Sequence, residues 1–179
     1  MTHEIREPNA DDLEQLRLFL ADVPARDHTF LKEDPSDPAV VDRWLTTDAP
    51  AVRRVAVDDE GSIMAAAALR AGIGRSSHVA DLRLVVGASA RGHGLGRAMA
   101  RQMLVEAVRY GFKKVSVDVE ATHHGVISMF QELGFQPEAL LRDHLCDAQG
   151  NLGDLVVLAH AVDEHWSALA SAGIDEAVA

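Results

Sequence analysis

The sequence predicts an α/β protein built on a mixed, mostly antiparallel sheet flanked by helices. Three observations predict it. Short apolar segments with period-two patterning alternate along the chain with amphipathic segments of helical period. Two of the early strand-like segments are joined by a short acidic and glycine turn, Asp58-Asp59-Glu60-Gly61, which suits an antiparallel hairpin. A third strand-like segment runs into a loop of small residues, Gly87-Ala88-Ser89-Ala90, and then into the longest helical pattern of the chain.

The elements follow in order. Residues 3–7 suit a short strand, ended by Pro8. Asn9 is an N-cap residue with Asp11 and Asp12 behind it, and Leu13, Leu16 and Leu20 make one stripe, so a helix is expected over 10–21. Residues 23–37 hold Pro24 and Pro35 and are expected as a loop; Phe30 within it is a core anchor or part of a substrate-side lid. Pro38 suits the first turn of a second helix, carried to about residue 47 by Val40, Val41, Trp44 and Leu45. Residues 52–58 and 63–69 form the hairpin, and 78–86 the next strand. A helix over 96–110 is closed by Gly111. Residues 114–120 alternate around Val115, Val117 and Val119, and 124–133 are helical up to Gly134. A strand within 135–146, a turn at 147–151 and a strand over 154–160 complete the sheet. A terminal helix is expected over 162–172, anchored by Trp166 and Leu169. Its 179 residues, 47% of them hydrophobic, suit one domain over 1–179, with a core over about 3–160 and the extra helix over about 161–172.

Composition narrows the function. A formal charge of −11 argues against nucleic acid and anionic membrane as partners, and 4% aromatic residues argue against a base-stacking surface. The single cysteine, Cys146, leaves no disulfide framework and no cysteine metal cluster, and no metal is expected. The opening Met1-Thr2-His3-Glu4 does not resemble a signal peptide, and no apolar run approaches ~20 residues. A cytoplasmic protein is the expectation.

The glycine loop carries the functional signal. Glycines let backbone approach a ligand closely, and the first N–H groups of a helix point outward without internal partners, so the junction suits a phosphate or pyrophosphate. A P-loop needs Lys and Ser/Thr after its last glycine, where His93 and Gly94 stand. A dinucleotide fingerprint needs its third glycine at position 97, where Arg97 stands. The pattern R/Q-x-x-G-x-G/A fits throughout: Arg91, Gly92, His93, Gly94, Leu95, Gly96.

With that loop, Val86 five residues before Arg91, and Met129-Phe130-Gln131-Glu132-Leu133-Gly134-Phe135 ending the next helix, nearly the whole chain resembles the GNAT superfamily of acyl-CoA-dependent N-acetyltransferases. The resemblance implies the GNAT fold, acetyl-CoA as cosubstrate, and a pyrophosphate held by backbone from Arg91 to Gly96, with Arg97 beside it. It implies pairing of the pantetheine arm with the backbone of Val85 and Val86, and polarisation of the thioester there. Many members place a tyrosine acid where this chain has Phe130, which is left as a cofactor contact.

The expected reaction is direct acetyl transfer to a primary amine, either a small molecule, such as an amino acid, or a protein lysine. An ammonium with pKa ~10 must first lose its proton. Asp81, Glu120 and His123 are the candidates for that step. Each has a plain alternative as an ion-pair partner, a solvated strand end or a cap. Arg26, Phe30, Arg142 and His144 are candidates for acceptor binding, and an arginine pair would suit a substrate carboxylate. The rivals are a non-catalytic acyl-CoA-binding or sensing module, which Phe130 favours, and a dinucleotide-dependent enzyme. A homodimer through exposed strand edges near residues 154–160 is also open, as is cover of those edges by the terminal helix.

Overall fold

Ala51–Val57 (β2) and Ile63–Ala71 (β3) are runs of valine and alanine, and they form the expected antiparallel hairpin, from Ala51 opposite Arg70 to Val57 opposite Ile63. Glu4–Arg6 (β1) adds to the outer edge of β2 in antiparallel register. In this computed structural model, which describes residues 3–24, 27–32, 34, 37–45, 51–147 and 149–162, the sheet has seven strands in the order β1-β2-β3-β4-β5-β7-β6. Val79–Val86 (β4) and Lys114–Glu120 (β5) pair in parallel, joined by the long helix Leu95–Arg109 (α4). The last strands, Gln136–Cys146 (β6) and Leu152–Ala161 (β7), form an antiparallel hairpin, and β7 pairs with β5. The other helices are Leu13–Ala21 (α1), His28–Leu31 (α2), Pro38–Leu45 (α3) and His124–Glu132 (α5).

The chain divides into two units, Met1–Arg70 with Arg83–Met103, and Ala71–Leu82 with Leu104–Ala179. In the first, Leu16, Phe19 and Leu20 of α1 and Val40, Val41 and Trp44 of α3 bury one face of each helix with Val55, Val57, Ala66 and Val85 of the strands. In the second, Val115, Val117 and Val119 are buried on one face of β5 with Leu158 and His160 opposite on β7. Phe135 is fully buried there, edge-on to Phe130 at 5.0 Å and tilted against His160 at 5.3 Å.

Several expectations change. The helix expected over 10–21 begins as a 3-10 turn at Ala10–Asp12, because Asp12 turns back: it closes a capping box with Asn9 and takes two guanidinium bonds from Arg6, at 2.6 and 2.7 Å. The loop expected over 23–37 contains α2, a single turn too short to show a helical period. Strand β7 runs on through Ala161, where the terminal helix was expected to begin, since Lys114 and Ala161 still pair. The rest of that helix, and the expected end of α3 at residue 47, lie outside the described residues. Among the described residues no helix is long and apolar enough to cross a membrane.

The Arg6–Asp12 pair carries a stability prediction. The Arg6 guanidinium holds the Asp12 carboxyl below its ordinary value of 3.8, and burial opposes this only in part. A depressed carboxyl stabilises the fold above its unfolded value, and that stability is lost as pH falls through the folded value. The expected result is a loss of thermal stability below about pH 4 that is smaller in Asp12→Asn, whose own cost at pH 7 is about 1–3 kcal/mol by chemical denaturation. A parallel pH profile for the two proteins would contradict this.

Candidate functional site

The loop after β4 begins inside the core of the first unit. Val85 is buried, Val86 is half-buried, and the Gly87 N–H donates to the Met64 carbonyl at 2.8 Å. A helical turn over Ala88–Ala90 buries Ala90. The chain then swings outward through Arg91, Gly92, His93 and Gly94, all exposed, and returns at Leu95, which is buried and opens α4. Gly92 and Gly94 have φ of +78° and +82°. A Cβ built on either meets nothing within 4 Å. The backbone here is therefore bent into a form that favours glycine, with open space beside it. The first bond of the helix runs from the Ala98 N–H to the Gly94 carbonyl at 3.0 Å, so Leu95, Gly96 and Arg97 form its first turn, where N–H groups lack an intrahelical acceptor. Such a bend and helix start fit the doubly charged pyrophosphate of a coenzyme.

The Arg91 side chain does not extend outward. Its Nε–H donates to the Val86 carbonyl at 2.9 Å, and its Nη2 donates to Asp27 Oδ2 at 2.6 Å. Arg83, two residues after Asp81 on β4, donates through Nη1 to the Leu31 carbonyl at 3.0 Å. Phe30 lies between these contacts on α2, half-buried. Arg26 is outside the described residues.

The second unit holds the candidates for proton transfer. The parallel ladder of β4 with β5 comprises Val79 opposite Lys114, Ala80 opposite Val115 and Asp81 opposite Ser116, so half-buried Asp81 is its last step. Glu120 ends β5. Its Oε1 accepts from the Thr122 hydroxyl at 2.6 Å, and its Oε2 lies 3.6 Å from His123 Nε2. Sequence reading weighed Glu120 and His123 separately; the tight turn between β5 and α5 brings them together, with the His123 N–H on the Glu120 carbonyl at 2.9 Å. Phe130 is 2% exposed and packs on Phe135, so it serves the core of this unit.

Arg142 and His144 are exposed on β6. They flank a bulge, because Leu141 pairs with Leu155 and Leu145 with Gly153, leaving excess residues on β6. Asp143 at its centre has φ +52°, and its N–H donates to Asp154 Oδ1 at 2.9 Å. The Asp154 carbonyl in turn accepts from Ala121 N–H at 2.9 Å, just past Glu120. Asp27, Thr122 and Asp154 were missed as site residues. Thr122 stands only two residues from Glu120, whereas Asp27 meets Arg91 across 64 residues and no local signal marks that pair. Among the described residues no cluster of three or more His, Cys, Asp or Glu side chains is placed to hold a metal.

A strand, a glycine loop and a helix lead into a parallel strand pair within a mixed, mostly antiparallel seven-stranded sheet, which is an α/β fold of the GNAT kind. The sequence matches the Acetyltransferase (GNAT) family over residues 17–135, and the chain belongs to that family. It is an acetyl-CoA-dependent N-acetyltransferase.

Solved structures share the fold. A GCN5-related N-acetyltransferase from Kribbella flavida is 23% identical, with a TM-score of 0.72 over 89% of this chain and 97% of that one. A phosphinothricin acetyltransferase from Sinorhizobium meliloti, solved in complex with AcCoA, is 21% identical, with a TM-score of 0.77 over 90% of this chain and 89% of that one. The ribosomal-protein-S18-alanine N-acetyltransferase from Escherichia coli is 17% identical, with a TM-score of 0.71 over 90% and 94%. No curated protein sequence matches the chain.

Proposed function

We propose that this enzyme transfers acetyl directly from acetyl-CoA to a primary amine of a small molecule or a lysine side chain, without a covalent enzyme intermediate. The observation that carries the reading is the pair of left-handed glycines, Gly92 and Gly94, with open space on their Cβ sides at the start of α4. Backbone N–H groups from Arg91 to Gly96, with Arg97 beside them, hold the pyrophosphate. The backbone of Val85 and Val86 takes the pantetheine arm as an added strand and polarises the thioester carbonyl. The support is that the ladder of β4 with β5 ends at Asp81.

Glu120 and His123 handle the acceptor's proton. The imidazole takes it from the ammonium, and the Glu120 carboxylate, 3.6 Å away, stabilises the imidazolium. The neutral amine attacks the thioester carbon, the tetrahedral adduct expels CoA as thiolate when the C–S bond breaks, the new amide nitrogen gives up its surplus proton to water, and the thiolate takes a proton from solvent. Phe130 has no hydroxyl to donate, which leaves that proton to water. Asp81 is the reserve base. Arg142, His144, Phe30 and Arg26 are the proposed acceptor contacts. Known structures of this fold include enzymes named for phosphinothricin and for a ribosomal-protein alanine, so the fold alone leaves small-molecule and protein acceptors both open. The edge expected near residues 154–160 is closed, since β7 pairs with β5 on one side and β6 on the other; β6 is the outer strand there, and its exposed Leu140 suits pairing into a homodimer.

A thermal-shift series with acetyl-CoA, CoA, NAD and ATP tests the cosubstrate. Acetyl-CoA and CoA at about 100 times their Kd are expected to stabilise by about 2.7 kcal/mol, with no response to NAD. Thiol release from acetyl-CoA across amino acids, polyamines and lysine peptides identifies the acceptor. Stabilisation by NAD alone would overturn the reading.

A further inference from the structure

The short helix α2 is far in sequence from strand β4 and the coenzyme loop that follows it, but its two ends are bonded to them, the first to the loop and the last to β4. Before the helix, Asp27 takes the Arg91 guanidinium at 2.6 Å; at its last residue, the Leu31 carbonyl takes the Arg83 guanidinium at 3.0 Å. Between them the Leu31 side chain is 1% exposed in the core that also contains Val85. Asp27 itself is fixed, its N–H donating to the Pro24 carbonyl at 2.7 Å. Its side chain is 9% exposed, against 39% for Arg91, so the carboxylate is the buried, anchored member and the arginine is the one it holds.

Arg91 also bonds the Val86 carbonyl through Nε, so one guanidinium joins the last residue of β4, the head of the glycine loop and the residue preceding α2. The bend that follows, through Gly92 and Gly94, contains two residues with high backbone freedom and exposed surroundings. Such a segment holds a binding-ready shape only if its ends are fixed, because ordering it on binding would subtract from affinity.

We propose that Asp27 is a positioning residue for the coenzyme loop: through Arg91 it fixes the loop in the form that receives pyrophosphate, without touching the coenzyme. This rests on the proposed role of the loop.

Two measurements on the full chain test it. Hydrogen exchange of the unliganded protein reads the loop directly. In Asp27→Ala, amides of residues 88–96 are expected to exchange faster, while those of the β2–β3 hairpin keep their rates. Calorimetric titration with CoA reads the consequence. Asp27→Ala is expected to raise the Kd roughly tenfold, the scale of one lost charge-assisted hydrogen bond. Asp27→Asn, which keeps an oxygen acceptor and the side-chain volume, is expected to restore most of both. A merely structural residue would slow or speed exchange throughout the unit and would not separate these two variants by CoA affinity. Unchanged loop exchange in a folded Asp27→Ala protein overturns the proposal. Loop exchange that rises as expected in a protein that binds no CoA in its wild-type form leaves the positioning intact and overturns the coenzyme role of the loop.

Discussion

Gly94→Leu is expected to bind CoA at least about 100-fold more weakly than the wild type while remaining folded. The two halves of that statement have separate causes. At Gly94 φ is +82°, and a side chain there costs roughly 1–2 kcal/mol of backbone strain, little enough for a stable fold to absorb. Beyond the adjoining residues, nothing lies within 4 Å of the added Cβ, so the side chain starts into open space. It occupies instead the space where the pyrophosphate is proposed to sit, and van der Waals overlap with a ligand is not relieved by small shifts. Gly61→Leu is the matched control: its φ is also +82° and its Cβ direction is equally open, but it lies in the turn between β2 and β3. Both variants should lose similar thermal stability, and only Gly94→Leu should lose CoA in calorimetric titration. Equal CoA affinity in the two would remove the loop from the coenzyme site.

The second large effect is catalytic. Glu120→Gln keeps the size of the side chain and its acceptor for the Thr122 hydroxyl, but removes the charge beside His123. General-base assistance contributes roughly 100- to 10,000-fold, so kcat is expected to fall by at least about 100-fold. The KM for acetyl-CoA should change by no more than about twofold, because a charge that acts on the acceptor's proton contributes little to uniform binding of the coenzyme. His123→Ala should show a similar loss, and the double variant no more than the larger single one, since the two act as a unit. Steady-state rates with the best amine of the acceptor panel measure this. If both single variants keep wild-type kcat, the proton passes elsewhere, and Asp81→Asn becomes the variant to measure.

The structure also qualifies the familiar acid of this family. Phe130 is not at an open position; it packs edge-on to Phe135 in the core of its unit. A tyrosine here would bring a hydroxyl that needs a partner in a buried apolar setting. The chain therefore has a packing reason for the phenyl ring.

What the sequence determined by itself was whatever depends on neighbours along the chain. The valine alternation of β5, the helical pattern of α4 closed by Gly111 and the turn residues between β2 and β3 set those elements, because strand and helix periods are local properties. The glycine loop was readable for the same reason: positive φ and a helix start need only residues 91–96. The family followed from that loop, the later helix and the element order. The tertiary structure decided the partners. Asp27 meets Arg91 across 64 residues, Leu31 meets Arg83 across 52, and Asp154 supports Asp143 from the facing strand. No spacing rule announces such pairs, because chain folding, not local geometry, brings them within bonding distance. The same is true of the single turn of α2, which has no period to detect and is fixed by a buried leucine and two distant arginines.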